Sequence, residues 1–323
     1  MSKHQNKNKY MPPALCTLLL ALFLSCIEHV EPTPNTPTAY QYFVDISAIP
    51  RCSGDELRAS NYLAAFGRLL SLEVLQDEAL NVLIKKSGTR GRENEPPVIL
   101  QAHMDMVCRK DEGVEHDFDK DPIIPVITGD GWITAQKRTT LGADNGSGVS
   151  MILAVLAASG LSHPPIEALL TTEEEWGLLG ADKFDVTLLT GLRLINLDMV
   201  TEKVFVIGSA DDYANPDVLI PINIPTTALM KAADIPYWHY KIDSPLRDKM
   251  AEVFREYYGG EEPMLAGLQH AAVECSIFAN KMPDADMVSI GPDMEGIHTP
   301  NEGMNLKSYN RVYGYLLTLL ERL

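Results

Sequence analysis

Basic residues are scarce in this sequence relative to acidic ones. It contains 27 lysines and arginines against 44 aspartates and glutamates, which gives a formal net charge of -17 at pH 7. Proteins that bind nucleic acids need a basic face to displace the counterions of the phosphate backbone. We therefore predict that nucleic acid is not a partner. The acidic side chains are numerous enough to bind hard cations.

Cysteine is also rare, and beyond the first 26 positions only Cys52, Cys108 and Cys275 remain. Their odd number and scattered spacing argue against a disulfide framework. No C-x-x-C pair is present, which argues against a thiolate zinc site. We expect these three cysteines to be buried small apolar side chains.

Long hydrophobic runs are missing as well, since the apolar run at residues 14 to 24 is too short to span a bilayer comfortably. Lysines precede this run and Cys26 follows it, an order that resembles a bacterial lipoprotein signal. We expect residues 1 to 26 to be a signal peptide, with Cys26 lipidated at the membrane of the cell envelope. The alternatives are an ordinary signal peptide, or a wrongly chosen start codon before a cytoplasmic protein. Residues 27 to 39 are rich in Pro and Thr and suit an extended tether.

The folded part is expected to begin near residue 40. The chain has 323 residues, 46% of them apolar and 22% charged, which is typical of a globular protein with a substantial core. Helical patterns alternate with apolar strand-like runs, and this alternation indicates an α/β sheet. We predict helices at residues 40 to 49, 55 to 70, 148 to 158, 244 to 259, 270 to 281 and 308 to 323, and strands at residues 72 to 76, 81 to 86, 96 to 103, 166 to 172, 192 to 198 and 287 to 292.

Two local features refine this arrangement. Ser244 followed by Pro245 is typical of a helix start, with the serine as N-cap and the proline at the first helical position. Residues 210 to 236 are irregular and contain four prolines, so we interpret them as a short connection. The chain would then consist of residues 40 to 209 and 237 to 323, joined by this connection.

Acidic residues and histidines recur in five segments at predicted strand or loop ends. They are HMD at 103 to 105, GADNG at 142 to 146, EEEWG at 173 to 177, NLD at 196 to 198 and GIHTP at 296 to 300. Each segment alone has a simple structural explanation, such as a strand end, a turn, a solvated helix start or a surface loop. Together they offer imidazole and carboxylate groups, which two zinc ions a few Å apart require as ligands and as a bridge.

The order of these motifs resembles that of the co-catalytic zinc exopeptidases related to carboxypeptidase G and aminoacylase. Within them it is most similar to the aminoacyl-histidine dipeptidase branch, also called cytosol non-specific dipeptidase. The resemblance is carried by the stretches IPRCSGDE, LQAHMDMVCRK, HDFDKDPI, TTLGADNGSGVSM, LLTGLRLINLD, HAAVECSIF and DMVSIGPDMEGIHTPNE. It implies an α/β domain whose mixed, mostly parallel central sheet is flanked by helices. It also implies metal-dependent hydrolysis of dipeptides, either Xaa-His or of broad specificity.

The resemblance further implies a metal-binding role for five residues. His103 and Asp198 would hold one zinc ion, Glu175 and His298 would hold the other, and Asp144 would bridge the two. Manganese and cobalt accept the same ligand set.

Four more residues receive roles from the same resemblance. Asp105 would bind the imidazole of His103 and fix its tautomer. Glu174 would be the general base, although an alignment slipped by one residue along the three glutamates would move both this role and the ligand role of Glu175. His270 and Glu274 would lie near the substrate pocket. The alternative for His270 is a core histidine with its hydrogen bonds satisfied.

One part of the family pattern is missing from this chain. Members carry a large inserted lid and dimerisation domain, which supplies a histidine for the oxyanion and an arginine and an asparagine for the substrate carboxylate. Here only residues 210 to 236 lie at the corresponding place. We therefore expect the lid to be largely absent, the protein to be a monomer, and turnover to be reduced, because losing one oxyanion donor typically costs about 10² to 10³ in rate. The alternatives are a weak remnant that binds metal and peptide without efficient turnover, and a deacylase of N-acyl amino acids.

Overall fold

A computed structural model describes residues 38 to 209, 220 to 222, 236 to 268 and 272 to 323. The predicted signal peptide, nearly all of the predicted tether, most of the predicted connection and His270 lie outside these residues. The first helix begins at Thr38, two residues before the expected start of the folded part.

Thirteen strands are present in the described part of the chain. They are β1 (Glu73–Gln76), β2 (Val82–Lys86), β3 (Val98–His103), β4 (Pro125–Ile127), β5 (Trp132–Ala135), β6 (Ile166–Thr171), β7 (Arg193–Asn196), β8 (Val204–Ser209), β9 (Ile220–Ile222), β10 (Met264–Leu268), β11 (Asp286–Ser289), β12 (Met294–Glu295) and β13 (Gly303–Asn305). Nine of them form one sheet in the order β1-β2-β6-β3-β7-β11-β8-β10-β9, and the other four form a smaller sheet in the order β12-β13-β5-β4.

The nine-stranded sheet is mixed and mostly parallel. Strand β3 pairs in parallel with β6 and β7, β7 pairs in parallel with β11, and β10 pairs in parallel with β8 and β9. The pairs β1 with β2, β2 with β6, and β8 with β11 are antiparallel. The predicted fold class, an α/β domain with a mixed, mostly parallel sheet, is confirmed.

Helices cover both faces of this sheet. They are α1 (Thr38–Ser47), α2 (Leu57–Leu69), α3 (Ala143–Ala157), α4 (Leu179–Lys183), α5 (Pro245–Tyr257), α6 (Cys275–Lys281) and α7 (Leu306–Arg322). Successive strand side chains point to opposite faces, so Leu100 belongs to the core beneath α1, α2, α3, α5 and α7, whereas Ile99 belongs to the core beneath α4 and α6. No helix in the described residues has both the length and the apolar character needed to cross a membrane.

The helix starts differ in how well periodicity predicted them. Ser244 caps α5 as expected, because its hydroxyl accepts the backbone N–H of Arg247 at 3.1 Å. Helix α3 begins five residues before the predicted position, since its first turns are small and polar and carry no apolar period. Helix α6 begins five residues after the predicted position. Val273 packs in the core from non-helical backbone, so its apolar character extended the helical pattern too far.

The prediction that all three cysteines are unpaired was wrong. Cys52 and Cys108 form a disulfide with their Cα atoms 5.6 Å apart, whereas Cys275 is free and buried as expected. The pair is 56 positions apart in sequence, and Cys52 is brought there by a parallel bridge to Met106. Spacing along the chain carries no sign of such a contact.

Candidate metal centre

The acidic and histidine segments meet at one edge of the large sheet. His103 is the last residue of β3, Glu174 and Glu175 follow β6, and Asp198 lies two residues after β7. Strand β3 lies between β6 and β7 and pairs in parallel with both. Their carboxyl ends therefore lie side by side, which is where open α/β sheets bind ligands.

A first cluster of ligand atoms surrounds His103. Its Nε2 atom lies 3.0 Å from Asp144 Oδ1 and 3.3 Å from Asp198 Oδ1. Asp144 reaches this position from the first turn of α3, and the peptide bond that follows it is cis. The side chain of Asn145 donates to Asp198 Oδ1 at 2.8 Å, which fixes the orientation of that carboxylate.

A second cluster surrounds His298 and shares the same aspartate. His298 Nε2 lies 3.1 Å from Asp144 Oδ2 and 2.8 Å from Glu175 Oε1. His298 comes from the loop between β12 and β13 of the small sheet, which brings it over the edge of the large one. The two carboxylate oxygens of Asp144 therefore face different clusters, Oδ1 the first and Oδ2 the second.

The spacing of these atoms fits metal ions. Zinc bonds of about 2.0 to 2.1 Å at the tetrahedral angle place neighbouring ligand atoms about 3.3 Å apart. The four distances above lie at or slightly below this value. His103, Asp144 and Asp198 form one group whose ligand atoms lie within 4.8 Å of one another, and Asp144, Glu175 and His298 form another. The donor set of imidazole and carboxylate suits zinc, manganese and cobalt.

Asp105 lies behind His103. Its Oδ1 atom is 3.2 Å from His103 Nδ1, and its two oxygens also accept from Ser53 Oγ at 2.8 Å and from the N–H groups of Glu174 and Glu175 at 3.1 and 3.3 Å. Burial alone would raise the pKa of Asp105, but these hydrogen bonds and the charge of His103 hold it below its usual value. An ionised Asp105 keeps the proton of His103 on Nδ1, so that Nε2 points into the cluster as a ligand.

The carboxyl groups of Glu174 and Glu175 have raised pKa values. Burial, together with the charge of Asp144, raises the pKa of Glu175 to about 7, and the hydrogen bond with His298 opposes the rise. Burial likewise raises the pKa of Glu174 well above its usual range; His103 opposes this effect, and Glu175 adds to it. The largely buried carboxylates of Glu174, Glu175, Asp144 and Asp198 repel one another, and bound cations would relieve that repulsion.

Glu274 occupies a different position from the clusters. It is fully buried beside the start of α6, and its Oε2 atom accepts from Thr171 Oγ1 at 2.6 Å and from the side-chain amide of Gln101. Gln101 in turn accepts from the amide of Asn196 at 2.6 Å. This polar network supports the strands that end in the ligands, and a substrate contact of Glu274 stays a prediction.

Two buried charged residues beside the clusters were missed by sequence reasoning. Arg51 and Glu302 are 1% and 3% exposed, and both contact the turn that carries Asp144. Both lie in stretches that carried the family resemblance, IPRCSGDE and GIHTPNE. Each is a charged residue within such a stretch to which no role was assigned. That combination was the signal that could have identified them.

Comparison with known proteins identifies a family that matches most of the chain. Residues 99–322 match the model of peptidase family M20/M25/M40. The cytosol non-specific dipeptidase of Escherichia coli (strain K12) is 40% identical over 187 residues, which are 58% of this chain and 37% of that protein. The matched part thus spans little more than a third of this curated relative.

Solved structures share the fold. The aminoacylhistidine dipeptidase of Vibrio alginolyticus superposes with a TM-score of 0.78 at 22% identity, covering 91% of this chain and 98% of that one. The aminopeptidase PepT of Bacillus cereus superposes with a TM-score of 0.70 at 16% identity, covering 88% and 98%. These similarities confirm the fold that the motifs indicated. Since the family model spans most of the sequence, the chain belongs to peptidase family M20/M25/M40.

Proposed function

We propose that this protein hydrolyses dipeptides with a pair of zinc ions, manganese or cobalt being alternatives. The observation that carries the proposal is the sharing of Asp144 between two ligand clusters. His103 and Asp198 would hold one ion, Glu175 and His298 the other, and Asp144 both. When bound, such a pair supplies Lewis acidity to the scissile carbonyl and lowers the pKa of a coordinated water toward about 7.

Glu174 is proposed as the group that moves the proton. Its Oε2 atom lies 3.9 Å from His103 Nε2, next to both clusters, and its pKa is raised by burial. It would take a proton from the water that attacks the peptide carbon and pass it to the leaving amine as the C–N bond breaks. Asp105 would keep His103 in the tautomer that binds metal.

The proposal is tested by assaying purified, zinc-loaded protein against β-alanyl-histidine and a panel of dipeptides. We expect hydrolysis of at least one dipeptide, and a fall of about 10² to 10⁴ in kcat for Glu174→Gln with zinc content unchanged. Glu173→Gln is the matched control, because Glu173 pairs with Lys183 at 2.6 Å and is expected to leave activity intact. If Glu173→Gln is the inactive variant instead, the register along the three glutamates is wrong.

A second candidate function follows from the short connection. The relatives' oxyanion and carboxylate contacts come from a lid, and only residues 210 to 236 occupy that place here. If the protein binds two zinc ions but hydrolyses no peptide in the panel, the dipeptidase proposal is wrong. This result would support a remnant that binds metal and peptide without efficient turnover. Hydrolysis of N-acyl amino acids alone would support a deacylase.

We also propose that the chain works outside the cytoplasm, anchored through Cys26. Two independent features support this location: the lipoprotein-like order of residues 1 to 26, and the disulfide between Cys52 and Cys108. Disulfides form and persist mainly in oxidising compartments. Cell fractionation tests the proposal. The wild-type chain is expected with the membranes, and Cys26→Ser is expected to lose that association, whereas wild-type protein in the cytoplasmic fraction would contradict it.

A further inference from the structure

We propose that Glu302 is a positioning residue that fixes the bridging carboxylate of Asp144, an inference that rests on the metal site proposed above. Glu302 is not a ligand in either cluster. Its carboxylate acts on the backbone that carries Asp144, and through it on both ions at once.

Glu302 accepts hydrogen bonds from the N–H groups of four consecutive residues. Glu302 Oε2 accepts the N–H groups of Leu141 at 2.8 Å and Gly142 at 3.0 Å. Its Oε1 atom accepts those of Ala143 at 2.8 Å and Asp144 at 3.3 Å. Hydrogen bonds to an ionised acceptor are about twice as strong as neutral ones, and here they fill the N–H groups that the start of α3 leaves without helical partners.

The same turn is held from its other side by Arg51. The Nη2 atom of Arg51 donates to the carbonyl of Gly142 at 2.5 Å, and its Nη1 atom donates to the carbonyls of Met104 at 2.9 Å and Asp105 at 3.1 Å. Gly142 itself has a φ of +70°, and a Cβ at this position would lie 2.5 Å from the Arg51 guanidinium. The turn is therefore enclosed by a buried anion on its N–H side and a buried cation on its carbonyl side.

These contacts join three of the segments that supply proposed ligands. Glu302 lies four residues after His298 in the same loop, so it ties that loop to the turn of Asp144. Arg51 ties the turn to the residues that follow His103. Because one oxygen of Asp144 faces each cluster, at 3.0 Å and 3.1 Å from the two histidines, a displaced turn would disturb both clusters together.

The test compares two buried glutamates with similar surroundings. Glu302→Gln replaces an acceptor by an amide whose NH2 group faces backbone N–H groups. Glu167→Gln is the matched control, because Glu167 is also 3% exposed and accepts the N–H groups of Thr190 and Gly191 at 3.0 and 2.9 Å, four positions before the end of β6. Both variants are expected to lower the melting temperature.

Zinc binding separates the two variants. We expect only Glu302→Gln to raise the zinc dissociation constants, by about 10- to 100-fold. We also expect only this variant to alter the visible absorption spectrum of the cobalt-substituted protein. If Glu302→Gln does not fold, Glu302→Asp keeps the charge, withdraws the oxygens by one methylene, and is expected to weaken binding in the same direction.

Wild-type affinity and an unchanged cobalt spectrum in a folded Glu302 variant would overturn the inference and leave the site proposal standing. Failure of the wild-type protein to bind zinc would instead sink the site proposal itself.

Discussion

At the scale of single residues, Asp144 is the side chain on which both ligand clusters depend. Each of the other four ligands is proposed to hold one ion only. We predict that Asp144→Ala loses both zinc ions, because each ion is left with two protein ligands. Asp198→Ala is predicted to lose only the ion shared with His103. Zinc content after gel filtration, measured by mass spectrometry, checks this difference, and equal loss in the two variants would contradict the bridging role.

Glu274 gives a prediction about pH at the same scale. Burial raises its pKa to about 8, opposed by the charge of His103 and the hydrogen bond from Thr171. In metal-free protein the folded state therefore holds a proton that the unfolded state releases at about pH 4.5, so this carboxyl lowers stability as pH rises from about 4.5 to 8.

The variant Glu274→Gln removes that titration. We measure the melting temperatures of both proteins in EDTA. The melting temperature of the variant is predicted to increase relative to that of wild type as pH rises from about 4.5 to 8, and the difference is predicted to stay constant above pH 8. A difference that does not change between pH 4.5 and 8 would mean that Glu274 titrates normally.

Residues of the site were predictable from sequence to different degrees. His103, Glu175 and Asp198 stood in short motifs at the ends of predicted parallel strands, so their convergence followed from the sheet. Asp144 and His298 were assigned by the order of the motifs and the resemblance that this order carries. Arg51 and Glu302 could not be given roles in the same way, because their partners are backbone groups of distant turns. Only the folded path of the chain determines those contacts.

At the scale of elements, the strands that end in the site were predictable because their apolar runs are long and continuous. The small sheet was missed, since its strands are two to four residues long and carry no resolvable alternation. This omission concerns the site, because the loop between β12 and β13 brings in both His298 and Glu302.

The disulfide is a further element-scale feature that sequence did not predict, and it has a measurable effect. It closes a loop of 56 positions between the segment that joins α1 to α2 and the segment after β3. We predict that the double variant Cys52→Ser, Cys108→Ser loses about 2 to 4 kcal/mol of unfolding free energy. Urea denaturation measures this loss. A reducing agent is expected to destabilise wild type by a similar amount and to leave the double variant unchanged, whereas equal stability of all samples would exclude a structural bridge.

At the scale of the whole molecule, the expected absence of the lid predicts a monomer, because the resemblance implies that dimerisation runs largely through the lid. Light scattering coupled to gel filtration is expected to give one chain mass, near 35.7 kDa before any processing of the N-terminus. A mass of two chains that persists on dilution would show that another surface has taken over dimerisation.

Two metal ions are proposed to lie on either side of Asp144. The most direct test is a crystal structure of the zinc-loaded protein with anomalous diffraction collected at the zinc edge. We predict two anomalous peaks about 3.5 to 4 Å apart, one beside His103 and Asp198 and the other beside Glu175 and His298. A single peak, or peaks away from Asp144, would contradict the account.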